Sequence, residues 1–142
     1  MPGSPLHLIV VLKGAFIFAA DLVRAITIPC RIDFIRASSY GSEKTSSGNV
    51  SITHNLQVTN HHLLIIEDII DTGLTLQQIS AELMRMNPAS LNICTLLDKP
   101  EARKHPVDIA YTGFIVPDKF IVGYGIDYNE RYRELSFIGI LP

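Results

Sequence analysis

Little in this sequence offers a cross-link, a membrane anchor or a polyanion-binding face. Among 142 residues there are two cysteines, Cys30 and Cys94. They lie far apart in apolar stretches, which suits buried, reduced thiols better than a disulfide or a metal pair. A reducing, cytoplasmic setting is expected. No apolar run approaches the roughly 18 to 20 residues that cross a bilayer, so no membrane partner is expected. Residues 6–12 and 15–20 imitate a secretory signal core, but no basic segment precedes them and Lys13 interrupts them. The formal charge is −2. That argues against a general polyanion binder and makes nucleic acid an unexpected partner, so any phosphate site must be local. No repeat and no linker divides the chain, and residues 1–142 are expected to form one domain.

Hydrophobic residues make up 47% and charged residues 18%, the balance of a folding chain. At this length it should bury roughly two-thirds of the surface its unfolded form exposes. Residues 6–12 read as a strand buried on both faces, and residues 15–26 as a helix with Phe16, Ala19, Ala20, Val23 and Ile26 near helical spacing. A strand at 31–37 leads into a serine-dominated stretch, 38–49, expected to be a mobile loop. Residues 50–58 partly alternate, as an antiparallel arm would. Residues 63–66 form another buried strand that ends in acids, and 75–86 a helix with Leu76, Ile79, Leu83 and Met86 on one face. Further strands are expected at 91–97, 109–116, 136–141 and, shorter, 120–124. Strand–helix alternation of this kind gives an α/β fold with a mostly parallel central sheet, whose ligands gather outside the carboxyl ends of the strands.

The informative segment is Leu63-Leu64-Ile65-Ile66-Glu67-Asp68-Ile69-Ile70-Asp71-Thr72-Gly73-Leu74-Thr75. A strand delivers two adjacent carboxylates, a small polar turn follows, and a helix starts at once. The exposed amides and positive dipole end of such a helix favour phosphate. Glu67 and Asp68 would repel it. A ligand satisfying both must offer hydroxyls or a divalent cation to the acids and a phosphate to the turn, as a ribose 5-phosphate does. An ordinary helix start capped by Asp71 or Thr72 is the plainer alternative. Rival motifs are missing: there is no G-x-x-x-x-G-K-[ST], and Gly123-Tyr124-Gly125 lacks the third glycine of a dinucleotide fingerprint. His61-His62 reads as a solvated pair in a polar turn before a strand.

The segment Glu67-Asp68-Ile69-Ile70-Asp71-Thr72-Gly73 resembles the phosphoribosyl-pyrophosphate motif of type I phosphoribosyltransferases. Three further segments are similar to the hypoxanthine-guanine branch of that family. They are Val11-Leu12-Lys13-Gly14-Ala15, Ser38-Ser39-Tyr40-Gly41, and the long run from Pro117 to Glu130. The resemblance implies the type I fold, a partial hood over the base, and transfer of a 5-phosphoribosyl group from phosphoribosyl pyrophosphate to hypoxanthine or guanine.

It also implies roles. Asp71 would be the general acid/base at purine N7. Glu67 and Asp68 would hold the ribose hydroxyls, and Thr72, Gly73, Leu74 and Thr75 the 5-phosphate. Lys13, Gly14 and Arg133 would meet pyrophosphate, in a loop where the family often carries a non-proline cis bond. Lys99 would donate to the 6-oxo group, Phe120 would stack on the base, and Ile121 would contribute backbone contacts. Taken alone, Phe120 would be read as a core residue and Lys13 as a solvated one. Asp127 would associate with Mg²⁺, the implied cofactor. Ser39 and Tyr40 would close over the site. Glu130 and Arg131 receive no role and read as solvated charges.

Family members usually carry several dozen residues ahead of the first strand, whereas Met1 to Pro5 precede it here. An uncovered apolar flank, weakened purine affinity and a homodimer or homotetramer are therefore expected. A non-catalytic nucleotide- or RNA-binding regulator on the same fold, or an inactive truncated paralogue, is the competing reading. The retained Asp71 and Lys99, and the lack of a basic run, weigh against it.

Overall fold

The first strand, β1 (Leu6–Leu12), is apolar at successive positions because both of its faces are covered. Leu8 and Val10 pack with Ala15, Ala19 and Ile66 on one side. Ile9 and Val11 pack with Ile35, Ile65 and Ile79 on the other. Helix α1 (Phe16–Ala25) supplies the first layer and α2 (Leu74–Met84) the second. Each Leu, Ile or Val side chain so withdrawn from water contributes about 1.5–3 kcal/mol. The computed structural model describes residues 5–39 and 50–142.

Five more strands join β1. They are β2 (Cys30–Ser39), β3 (Val50–Thr53), β4 (His62–Ile70), β5 (Ser90–Asp98) and β6 (Tyr111–Ile115), in the order β3-β2-β1-β4-β5-β6. All neighbours run parallel except β3, which is antiparallel to β2. The architecture is the α/β, mostly parallel sheet that the strand–helix alternation implies. From β1 the chain crosses through α1 to β2 on one side, and it later returns to place β4 on the other. The order therefore reverses between β1 and β4, and a crevice opens beyond their carboxyl ends.

Several elements differ from the sequence expectation. The serine-rich stretch begins inside the sheet, since Ser38 and Ser39 end β2; the remainder, including Tyr40, lies outside the described residues. The arm expected at 50–58 stops at Thr53, where the pairing with β2 ends. The strands expected at 120–124 and 136–141 shorten to β7 (Ile121–Val122) and β8 (Gly139–Ile140). These two pair with each other, antiparallel, in a separate small sheet. Turn hydrogen bonds displace the ladder there: Tyr124 N–H donates to Leu135 O at 2.8 Å, and Gly125 N–H to Arg133 O at 2.9 Å.

Among the described residues, one face of the main sheet is only partly covered. A helix about 10 Å across covers roughly two strands spaced about 4.8 Å apart. α1 covers β1 and β4 and leaves Ile32 and Phe34 of β2 exposed. On its other side Leu22, Ile26, Cys94 and Tyr111 line an open groove of about 630 Å³. Every residue of β6 is exposed. Both cysteines are free, Cys94 buried and Cys30 half-buried.

Candidate functional site

β4 does not end at its acids. It runs through Glu67 and Asp68 to Ile70, so both carboxylates leave the strand sideways, inside the sheet, rather than from its tip. The reason is pairing: Glu67, Ile69 and Ile70 all stay in register with β5. Glu67 is only 6% exposed. Its Oε1 accepts from the Asp68 N–H at 3.0 Å, and Asp68 Oδ1 accepts from the Ile69 N–H at 2.6 Å. Burial pushes the Glu67 carboxyl well above the usual carboxylate range, and the charge of Asp68 pushes it further. Burial raises Asp68 too, against the opposing pull of its hydrogen bonds and of Arg133. Among the described residues neither acid has an ion-pair partner. A buried acid beside a half-buried one calls for hydroxyl donors or a cation.

The turn after β4 is braced from below. Lys104 and His105 donate their backbone N–H groups to Thr72 O at 2.9 and 2.8 Å. Arg103 Nε donates to Asp71 O at 3.0 Å, and its guanidinium also grips the Asp98 carboxylate. Gly73 sits at φ 91, and a Cβ there would lie 2.3 Å from His105 O, so the close brace requires glycine. Gly73 itself caps α2, and among the described residues no side chain bonds in the N-cap position. The Asp71 or Thr72 cap considered from the sequence is therefore corrected, although Thr72 Oγ1 accepts from the Leu74 N–H at 3.3 Å. With no acid in the first turn of α2, its amides suit an anion. Asp71 is exposed, and its Oδ1 lies 3.5 Å from Nζ of the buried Lys99.

Across the crevice, the loop after β1 carries Lys13 and Gly14. The Leu12–Lys13 peptide bond is cis, within the loop where such a bond was expected. A Cβ on Gly14 would fall 1.9 Å from Asp68 Oδ2, so this position admits only glycine while Asp68 keeps its place. Arg133 donates to Gly125 O at 2.8 Å and lies 3.5 Å from Asp127 Oδ1.

These groups meet in one cavity of about 280 Å³, lined by Lys13, Gly14, Glu67, Asp68, Asp71, Thr72, Gly73, Thr75, Asp127 and Arg133. Lys99 reaches it through Asp71. Leu74 and Ile121 are not among its walls; Ile121 is buried with Leu97 and Ile126 beside it. Phe120 stands 68% exposed, in an edge-on contact with Tyr128, and so is not the core residue its apolarity suggests. Ser39 ends β2, and Tyr40 lies outside the described residues.

Two contributors escape sequence reasoning. Arg103 positions the turn, yet nothing near it in sequence marks it. Glu130, read as solvated, pairs with both Lys13 and Arg133. The reading of His61-His62 as a solvated pair holds for the exposed His62 and is corrected for His61, which is half-buried. His61 Nδ1 lies 3.0 Å from Nδ1 of the fully buried His7, whose Nε2 is 2.6 Å from Asp33 Oδ2. His62 opens β4 and meets Ser90 Oγ at 2.7 Å.

Residues 1–129 match the family of the phosphoribosyl transferase domain. The hypoxanthine-guanine phosphoribosyltransferase of Mycobacterium avium is 52% identical over 141 residues, which take in 98% of this chain and 70% of the relative. The hypoxanthine phosphoribosyltransferase of Haemophilus influenzae is 50% identical over 130 residues, 90% of this chain and 73% of that one. In three dimensions the chain matches a hypoxanthine phosphoribosyltransferase from Staphylococcus aureus with a TM-score of 0.93 at 44% identity, covering 99% of this chain and 77% of the other.

Proposed function

The chain belongs to the phosphoribosyl transferase family, and from that premise we propose that it joins a 6-oxopurine to ribose 5-phosphate. The activity is that of a pentosyltransferase: phosphoribosyl pyrophosphate and hypoxanthine or guanine give IMP or GMP and pyrophosphate. The bond from the sugar's anomeric carbon to pyrophosphate breaks, and a bond from that carbon to purine N9 forms. The relatives are named as enzymes, so the non-catalytic alternative is not favoured.

One observation carries the reading. A buried ammonium, Lys99 Nζ, stands 3.5 Å from an exposed carboxylate, Asp71 Oδ1. O6 and N7 are neighbours on one edge of a 6-oxopurine, and the pair offers a donor to the first and a proton acceptor to the second. Asp71 takes the N7 proton as N9 attacks. Phe120 stacks on the base and Ile121 contacts its far edge through the backbone. Glu67 and Asp68 receive the ribose hydroxyls, whose donated hydrogen bonds compensate the acids for the water they lack. Backbone amides from Thr72 to Thr75, Leu74 included, and the two threonine hydroxyls hold the 5-phosphate. Lys13, Gly14 and Arg133 receive pyrophosphate, and Ser39 and Tyr40 close over the site against water.

Mg²⁺ is the implied cofactor, and the donor set fits it. The carboxylates of Glu67, Asp68 and Asp127 are hard oxygen ligands on one cavity. Among the described residues no three such groups converge tightly enough to hold a metal unaided. Substrate oxygens would complete the coordination, with Asp127 the principal protein partner. When bound, Mg²⁺ supplies positive charge to the leaving group. Among the described residues no helix is long and apolar enough to cross a membrane. A cytoplasmic place, and a homodimer or homotetramer formed through the partly covered face of the sheet, complete the proposal.

The test is nucleotide formation from Mg²⁺, phosphoribosyl pyrophosphate and each purine base in turn. Hypoxanthine and guanine should exceed adenine by up to about 10⁴, because a cationic lysine has nothing to accept from adenine's amino group. Comparable rates with adenine would remove Lys99 from the base site.

A further inference from the structure

Glu130 occupies a place that its backbone does not favour. Tyr128 and Arg131 exchange N–H···O bonds of 3.0 and 3.1 Å across a two-residue turn. Asn129 and Glu130 fill that turn at φ 54 and φ 61. Asparagine accepts such a conformation, and glycine is the residue that suits the second position. Glutamate has no backbone reason to be there. Its N–H is secured by Asp127 Oδ2 at 2.7 Å, which fixes the turn and aims the side chain.

The side chain does have a destination. Glu130 Oε1 accepts from Lys13 Nζ at 3.3 Å, and both carboxylate oxygens lie 3.4 Å from the Arg133 guanidinium. Lys13 and Arg133 stand between two depressions. On one side is the cavity of Glu67, Asp68 and Asp71; on the other is one of about 310 Å³ that Glu130 helps to line. The two cations thus face the ligand cavity with one flank and an internal anion with the other.

We propose that Glu130 is a built-in counter-anion for pyrophosphate. It holds Lys13 and Arg133 while the site is empty, yields them to the incoming diphosphate, and competes for them again when pyrophosphate must leave. This rests on the reading that Lys13 and Arg133 meet pyrophosphate. The contacts are solvent-exposed, with 65% of the Glu130 side chain accessible, so the competition is mild and depends on salt. A mild competitor suits turnover, because a leaving group bound too firmly would delay product release.

The experiment is calorimetric titration of inorganic pyrophosphate, with Mg²⁺ present, into the wild-type chain and into Glu130→Gln. At low salt the variant should bind about 3- to 10-fold more tightly, and the gap should close at high salt as screening removes the competing charge. Glu130→Gly, which relaxes the turn and also removes the charge, should behave as Glu130→Gln does. Wild-type binding with no gain in Glu130→Gln overturns this inference alone, and so does a gain confined to Glu130→Gly. A folded wild-type chain that binds no pyrophosphate overturns both the inference and the site reading beneath it.

Discussion

The two ends of the parallel sheet treat buried polar groups in opposite ways. Near the amino ends of the strands, His7 is fully buried and both of its ring nitrogens are engaged, one by Asp33 and one by His61. Toward the carboxyl ends, Glu67 and Asp68 are packed side by side, answered by neighbouring backbone amides, by each other and by the more distant pull of Arg133, with no ion-pair partner among the described residues. The first arrangement completes its own hydrogen bonds and ties β1 to β2 and to the approach of β4. The second leaves its charges for something else to complete. Burial alone does not distinguish structure from function here; the state of compensation does.

The sharpest way to test that contrast is at the uncompensated end. Asp71→Asn keeps shape and hydrogen bonding but removes the proton acceptor, so turnover should fall by about 10² to 10⁴. Pyrophosphate affinity should barely move, and the thermal midpoint should fall modestly, because the buried Lys99 loses its ion-pair partner. Steady-state kinetics beside calorimetry would check this, and unaltered turnover would strike Asp71 from the mechanism.

At the opposite end the effect should reverse in kind. His7→Ala leaves a cavity and strips Asp33 and His61 of a partner, costing about 2–3 kcal/mol of stability. Turnover at a permissive temperature should stay near wild type. A denaturant titration that shows less than about 1 kcal/mol of loss would break the comparison, since the cluster would then not be structural.

Glu67→Gln should do something smaller and of opposite sign. It removes a buried carboxylate whose ionisation opposes folding, so the midpoint should rise by about 2–4 °C while activity falls. A lower midpoint in scanning calorimetry would mean that the acid pair is compensated after all.

The smallest expected effect is in the pH profile. Glu67 and Asp68 have folded pKa values above their unfolded ones, so the folded chain holds more protons. Their contribution to stability is full at low pH and is lost as pH rises from about 4 toward the raised values. His61 is lowered by burial, then by His7 and Arg31, so its unfolded form holds more protons. Its contribution is present above about pH 6.5 and is lost as pH falls below that. Unfolding midpoints across pH should carry both slopes, and Glu67→Gln should flatten the falling one alone.

How much of this was legible depends on how far apart the cooperating residues lie. The turn from Glu67 to Thr75 could be read because strand, acids, small residues and helix start fall within one short window. The double-sided burial of β1 was equally plain, since continuous aliphatic residues have only one comfortable place in an α/β sheet. Strand ends were less plain. The acids suggested that β4 stops at Ile66, and only the ladder with β5 carries it on to Ile70. The exposure of Phe120 was hidden as well, because apolarity alone points to a core and its ring contact with Tyr128 is set by a turn rather than by a strand pattern.

By itself, then, the sequence determined the alternating α/β order, the acid-rich turn on β4, and, through resemblance, the chemistry that such a turn serves. Tertiary structure alone decided which charges answer one another. Lys13 and Glu130 are 117 positions apart, His7 and His61 are 54, and no local pattern couples them. Periodicity and turn chemistry act over a few residues and are written in neighbouring side chains. Compensation of charge acts through space, and the sheet sets that space by the order in which it lays its strands.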